Sequence, residues 1–272
     1  MIQDIAPKNF DNAYIQDSPR LHDVCLIFNG DTVYAHKQGG TLDFPTYGMI
    51  SSKPKKLTYL FCIDDTRYYL AECDIARYGF RFYPVRELRY AQPKVSVFAL
   101  MTAYHIYTWY ASNRFCGKCG NEMTHDVEMR ALNCSCGNQV FPKISPAVIV
   151  AVVNDDKLLL TKYRGRAYKN YALIAGFAEI GETLEDTVRR EVMEETGLSV
   201  TRIRYYKSQP WGVDSNLLVG FFARVDGSDE IVLEEDELSE AGWFSRAEIE
   251  MSDDGISLTS EMIQAFRDGY TG

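Results

Sequence analysis

The sequence predicts an α+β protein in three parts: a β-rich N-terminal domain over 1–112, a small cysteine-bearing ribbon over 113–142, and a C-terminal domain of strands and helices over 143–272. Three observations predict it. Apolar runs of strand length come in pairs joined by Asn, Asp and Gly. Two longer stretches switch to helical spacing. Four of the seven cysteines fall within 21 residues.

The elements follow in chain order. Val24 to Phe28, the turn Asn29-Gly30-Asp31 and Val33 to Ala35 predict a strand, a turn and a second strand. Leu57 to Ile63, Asp64-Asp65 and Tyr68 to Ala71 repeat that pattern. From Val95 to Ala111 the apolar spacing is helical, with Phe98, Met101, His105 and Trp109 near one face. Ala147 to Val153 and Leu158 to Thr161 flank Asn154-Asp155-Asp156-Lys157 as a hairpin. Tyr171 to Ala175 is a further apolar run that ends at Gly176, where the glycine predicts a turn. Glu185 to Thr196 predicts a helix closed by Gly197. Runs at 200–208 and 217–225 read as strands, and 258–267 as a last helix.

Composition narrows the function classes. The chain is 46% hydrophobic and 25% charged, which excludes a disordered or collagen-like protein. Its net charge of −9 disfavours a chain-wide grip on nucleic-acid phosphates. That excess is local: residues 1–142 carry 14 acids and 15 bases, whereas 143–272 carry 24 and 14. No apolar run approaches the length of a membrane span, and the N-terminal residues show no apolar signal core. With the clustered cysteines, this predicts a protein of the reducing cytoplasm with a metal site instead of disulfides.

The cysteines read Cys116-x2-Cys119, then, after fourteen residues, Cys134-x-Cys136. Two pairs at this separation suit a structural Zn²⁺ held by Cys116, Cys119, Cys134 and Cys136. The second pair is tighter than the usual Cys-x2-Cys knuckle, since Asn133 stands where a cysteine would be expected. Four reduced thiols in a small core, or His125 as a substitute ligand, are the competing readings. The basic residues Lys162, Arg164, Arg166 and Lys169 either hold phosphates or form a solvated loop.

The stretch from Gly176 to Leu198 holds the chemistry. On a helix, Glu191, Glu194 and Glu195 share one arc at i, i+3 and i+4. Three carboxylates that close repel one another, and a divalent cation with oxygen ligands, Mg²⁺ or Mn²⁺, compensates them. The stretch matches the Nudix box G-x5-E-x7-R-E-U-x-E-E-x-G-U (U aliphatic) at every defined position. With seven fixed identities at about 6% each, chance would produce it on the order of 10⁻⁹ per start position.

The chain resembles the Nudix hydrolases, and the resemblance implies a C-terminal α/β/α sandwich with a mixed sheet and cleavage of nucleoside diphosphates linked to another group. It implies Glu191 and Glu195 as the main metal ligands with Glu194 alongside, the carbonyl of Ala175 as a backbone ligand, and one of Glu195 or Glu194 as the base. Glu182 and Arg190 would brace the loop against the helix.

The cysteine ribbon ahead of the box, the N-terminal domain and Ser208-Gln209-Pro210-Trp211 after it together resemble the NADH pyrophosphatase family. That resemblance implies NADH or NAD⁺ as substrate, or an NAD cap on RNA by the same chemistry, with other Nudix substrates such as ADP-ribose as the alternative. It also implies a homodimer. Glu237 would complete the metal site and Glu128 would touch substrate. Phe177 would stack on the nicotinamide, and Phe141 stands where the family often offers a tyrosine from the partner subunit. Gln209 through Asn216, with Pro210 and Trp211, would form the loop over the dinucleotide. Core packing is the plain alternative for Phe141, Phe177 and Trp211. The family's Pro-Phe-Pro-x-Ser after the tryptophan is Gly212-Val213-Asp214-Ser215-Asn216 here.

Overall fold

A computed structural model describes residues 1–50, 54–74, 77–165, 171–234, 238–250 and 254–272. Glu237, Arg166 and Lys169 lie outside the described residues. The chain forms two compact units: Ile2–Lys143 with Trp211–Ser215, and Met1 with Ile144–Pro210 and Asn216–Gly272.

The first unit carries β1 (Phe10–Asp11), β2 (Val24–Leu26), β3 (Phe28–Asn29), β4 (Thr32–Gln38), β5 (Thr41–Asp43), β6 (Lys56–Ile63), β7 (Thr66–Glu72) and β8 (Phe80–Pro84). Among the described residues these make two small sheets, β1-β6-β7-β2 and β3-β4-β5 with β8 on β4. The hairpin β6–β7 turns at Asp64, whose φ of 51° is left-handed, a conformation that Asp tolerates. Helix α1 (Lys94–Ser112) buries Phe98, Met101, Ile106 and Trp109. His105, on the same helix, bonds through Nε2 to the Lys143 carbonyl at 2.7 Å. A three-stranded ribbon follows, of β9 (Thr124–His125), β10 (Leu132–Asn133) and β11 (Gln139–Val140), in the order β11-β10-β9.

The second unit is built on β12 (Ser145–Asn154), β13 (Lys157–Tyr163), β14 (Ile174–Phe177), β15 (Val200–Trp211), β16 (Asn216–Val225) and β17 (Leu238–Ser245). The sheet runs β15-β16-β12-β13-β17, and β14 also pairs with β12. It is mixed: β12 is parallel to β16 and antiparallel to β13 and β14. Val148 to Val153 are buried on both faces, which is why they read as one continuous apolar run.

Alternate residues of β12 feed two cores. Ile149, Ala151 and Val153 pack with Leu258, Met262, Ile263 and Phe266 of helix α3 (Leu258–Arg267). Val148, Val150 and Val152 pack with Val188 and Val192 of helix α2 (Leu184–Thr196). The two helices therefore cover opposite faces, giving the α/β/α sandwich with a mixed sheet.

Candidate active site

Helix α2 is fixed at both ends by its own sequence. The Thr183 hydroxyl accepts from the Asp186 N–H at 3.1 Å as the N-cap, and Gly197 closes the helix at φ 70°. Val188 and Val192 anchor one side to the sheet. At i and i+4, Glu191 and Glu195 then both lie beneath the surface, at 9% and 1% exposure. Glu194 sits on the exposed rim instead.

Gly176 does not form the turn expected of it. It is inside β14, opposite Val148 of β12, and the need for glycine is a tertiary one. A Cβ at this position would lie 1.9 Å from Cδ and 2.1 Å from both carboxylate oxygens of Glu191. The Glu191 carboxylate thus occupies the space a side chain would fill, directly against the backbone of Gly176. Ala175, the proposed backbone ligand, is the neighbouring half-buried residue of β14. Two buried carboxylates on one helix face, one of them seated on a strand backbone, form a hard-oxygen donor set that fits Mg²⁺ or Mn²⁺.

Arg190 ties this corner together. Its Nε and Nη2 donate to Glu182 Oε1 and Oε2 at 2.6 and 3.0 Å, a bidentate pair. Nη1 donates to Glu191 Oε1 at 2.7 Å and Glu194 Oε2 at 2.9 Å, and Nη2 also reaches the Phe177 carbonyl at 2.9 Å. The guanidinium, together with the Glu179 N–H and the Thr187 hydroxyl, holds the Glu182 carboxyl down at about 2. The reach of Arg190 to Glu191 and Glu194 was not read from the sequence, although the i+4 spacing to Glu194 permits it.

In the ribbon, the four sulfurs of Cys116, Cys119, Cys134 and Cys136 all lie within 4.8 Å of one another. The 116–136 and 119–134 Sγ separations are 3.8 and 3.4 Å. A tetrahedron with Zn–S bonds of about 2.3 Å has edges of about 3.8 Å, so this donor set fits zinc. The Lys118 N–H and the Asn138 side-chain amide each donate to Cys116 Sγ at 3.4 Å. The Lys118 contact contributes most to lowering that thiol to about 6, with the Cys119 N–H, the Cys134 thiol and Asn138 adding to it. His125 is not part of the cluster: its ring stacks on Tyr110 at 4.5 Å. Asn133, at the usual cysteine position, spends its side chain on Asp126 and Gln139.

The substrate-contact candidates separate by burial. Phe177 and Phe141 are 52% and 54% exposed, which removes core packing as their explanation. Glu128 is exposed, in a turn shaped by Asp126 Oδ1, which accepts the N–H groups of Glu128 and Met129. Pro210 is exposed and Trp211 half-buried. Asn216 is buried, and its Oδ1 has no hydrogen-bond partner among the described residues.

Gln209, expected in the loop over substrate, is wholly buried. Its Nε2 donates to the Ile256 carbonyl at 2.7 Å and its Oε1 accepts the Leu258 N–H at 2.8 Å. Its side chain clasps the first turn of α3 from below, a long-range job that no local pattern announces.

Residues 143–266 match the family profile of the NUDIX domain. The chain is 43% identical over 137 residues to the NAD-capped RNA hydrolase NudC of Escherichia coli strain SMS-3-5, covering 50% of this chain and 53% of that protein. The Haemophilus influenzae (strain PittGG) NAD-capped RNA hydrolase NudC is also 43% identical, over 138 residues, 49% of this chain and 52% of that one. The chain thus spans about half the length of the curated relatives it matches. Among solved structures, a NUDIX hydrolase from Nitrosomonas europaea aligns at TM-score 0.49 and 23% identity, covering 58% of this chain and 93% of that one.

Proposed function

We propose that the protein hydrolyses the diphosphate bridge of NADH or NAD⁺, giving AMP and the nicotinamide mononucleotide, with Mg²⁺ or Mn²⁺ at the glutamate helix. The observation that carries this reading is the seating of Glu191 against Gly176 beside buried Glu195, within a complete Nudix box. Glu191 and Glu195, with Glu194 alongside, the Ala175 carbonyl and Glu237, are the residues that would hold the ion. Once bound, it supplies charge to neutralise the bridge and acidify the attacking water.

The chain's own residues do the rest. Glu195 or Glu194 takes the proton from the water. Arg190, held by Glu182, keeps Glu191 and Glu194 at fixed distances from Phe177 at the end of β14. Phe177, Trp211, Pro210, Asn216 and Glu128 contact the dinucleotide, whose flat ends suit stacking. Gln209 shapes that loop from beneath through its bonds to the start of α3. The ribbon over 113–142 holds Zn²⁺ as a structural ion, and the domains on either side of it in the sequence are 1–112 and 143–272. The working form is a cytoplasmic homodimer in which the partner subunit's Phe141 completes the site.

A second reading, removal of an NAD cap from RNA, cleaves the same bond and is favoured by the identity to proteins named for it. Both are tested by a Mg²⁺- and Mn²⁺-dependent screen against NADH, NAD⁺, ADP-ribose and NAD-capped RNA. Release of AMP from NADH or NAD⁺ is expected. Turnover of ADP-ribose alone, or of none of the four, would sink the proposal.

A further inference from the structure

We propose that Asp214 and Arg86 are positioning residues that set the orientation of the Trp211 ring. This deepens the reading of Trp211 as a substrate contact and rests on it.

The indole has one hydrogen-bond donor, and Trp211 Nε1 spends it on Asp214 Oδ2 at 3.0 Å. The other oxygen of that carboxylate accepts from Arg86 Nη2, and Arg86 Nη1 reaches Oδ2 at 3.5 Å. The carboxylate cannot rotate without breaking its contact to one partner or the other. The backbone of Arg86 is held by its neighbours, because it lies in a short 3-10 turn, Val85–Leu88, whose ends Val85 and Leu88 are buried.

The loop backbone is fixed independently. The Asp214 and Ser215 N–H groups donate to the Trp211 and Gly212 carbonyls, both at 3.3 Å. Ser215 takes the left-handed φ of 58°. At Gly212 a Cβ would come within 2.1 Å of the Met101 carbonyl oxygen, so the loop is seated on the backbone of α1 and only glycine fits. The backbone therefore stays in place whatever Asp214 does, while the ring torsions of Trp211 depend on the carboxylate. Arg86 and Asp214 are both exposed, and an exposed ion pair adds little to stability. Its effect falls on where the ring points, not on whether the domain folds.

The test uses the full chain with Mg²⁺ and NADH. Asp214→Ala is expected to raise KM about tenfold with kcat within about twofold, and Arg86→Met to raise KM less. Asp214→Asn keeps an oxygen that accepts from the indole and should recover most of the loss. All three should melt with the parent chain. The part of the tryptophan emission that Trp211→Phe removes should shift in Asp214→Ala and not in Asp214→Asn.

A KM within about twofold of the parent for Asp214→Ala, where Trp211→Ala raises it, would overturn the positioning role and leave the reading of Trp211 standing. An unchanged KM for Trp211→Ala would remove that reading, and the inference with it. A fall in melting temperature with kcat lost and KM unchanged would mark the network as structural only, and would also overturn the inference.

Discussion

The ribbon and the corner formed by α2 and β14 both gather metal-type ligands, and the fold supports them very differently. In the ribbon, the strands are only two residues each, and Met123, Ala131 and Leu132 are the buried apolar residues beside the four cysteines. In the corner, Glu191 and Glu195 stand on a capped helix packed on the central sheet, and Gly176 and Arg190 locate Glu191 before any ion binds. Soft ligands converging beside so few apolar residues point to an ion that makes the local fold. Hard ligands held by a fold that stands alone point to an ion that does chemistry. The comparison predicts that damage to the corner costs activity first, and damage to the ribbon costs structure first.

The largest effect should come from Glu195→Gln. Gln keeps the shape and loses the charge, so kcat should fall by about 10³-fold or more while the melting temperature stays within about 2 °C. Near-normal turnover would break the comparison at its centre. In the ribbon, Cys134→Ser should lower zinc content well below one ion per chain and open 113–142 to protease, with the sandwich still folded. Metal-replete protein that holds well under one zinc per chain would remove the ion from the ribbon altogether.

Gly176→Ala separates the corner's geometry from its charge. The added methyl displaces the Glu191 carboxylate, and overpacking of this kind costs about 1–3 kcal/mol. Turnover should fall with Glu191 still present; unchanged turnover would show that the seat against β14 does not matter. Gln209→Leu should cost about 1–3 kcal/mol by leaving the Leu258 N–H and Ile256 carbonyl without that partner, read by urea unfolding.

The smallest effect belongs to pH. Burial, helped by the charge of Lys56, pushes His125 from its ordinary 6.5 down to about 4. The folded state thus prefers the neutral ring. Its contribution is full above pH 6.5 and is lost as pH falls through about 4, because the unfolded chain binds the proton first. His125→Asn should flatten that acid-side slope in melting temperature, and an unchanged slope would assign it to other groups.

The helices were the most legible part of the fold, because capping and period agree there. The last helix has the bounds its spacing predicted, and Gly197 takes the left-handed cap expected of it. Strand β17 was missed, since Leu238–Ser245 mixes Ser, Glu, Ala and Gly into an edge that is only partly buried. Gly176 was misplaced because glycine usually marks a turn, whereas here its reason is a carboxylate 15 residues away on a helix. The convergence of Cys134-x-Cys136 with Cys116 and Cys119 could not be settled from spacing either. It depends on how β9, β10 and β11 pair, and Asn133 proved to be a ribbon strand residue with its own partners. The glutamate spacing was decisive because one helix carries it, and local geometry alone brings Glu191 and Glu195 to the same face.

The burial of β12 has a consequence for how the molecule opens. Its residues 148–153 are almost completely hidden, and it pairs with β16 on one side and with β13 and β14 on the other. No local fraying releases such amides, so their hydrogen exchange should report only whole-domain opening. Strand β14 borders β12 over 174–177, and the alternate N–H groups that it donates to β12 lie against this hidden strand. Deuterium uptake at 174–177, set against that at 148–153, then shows whether the seat of Glu191 opens with the domain or ahead of it, without any substrate.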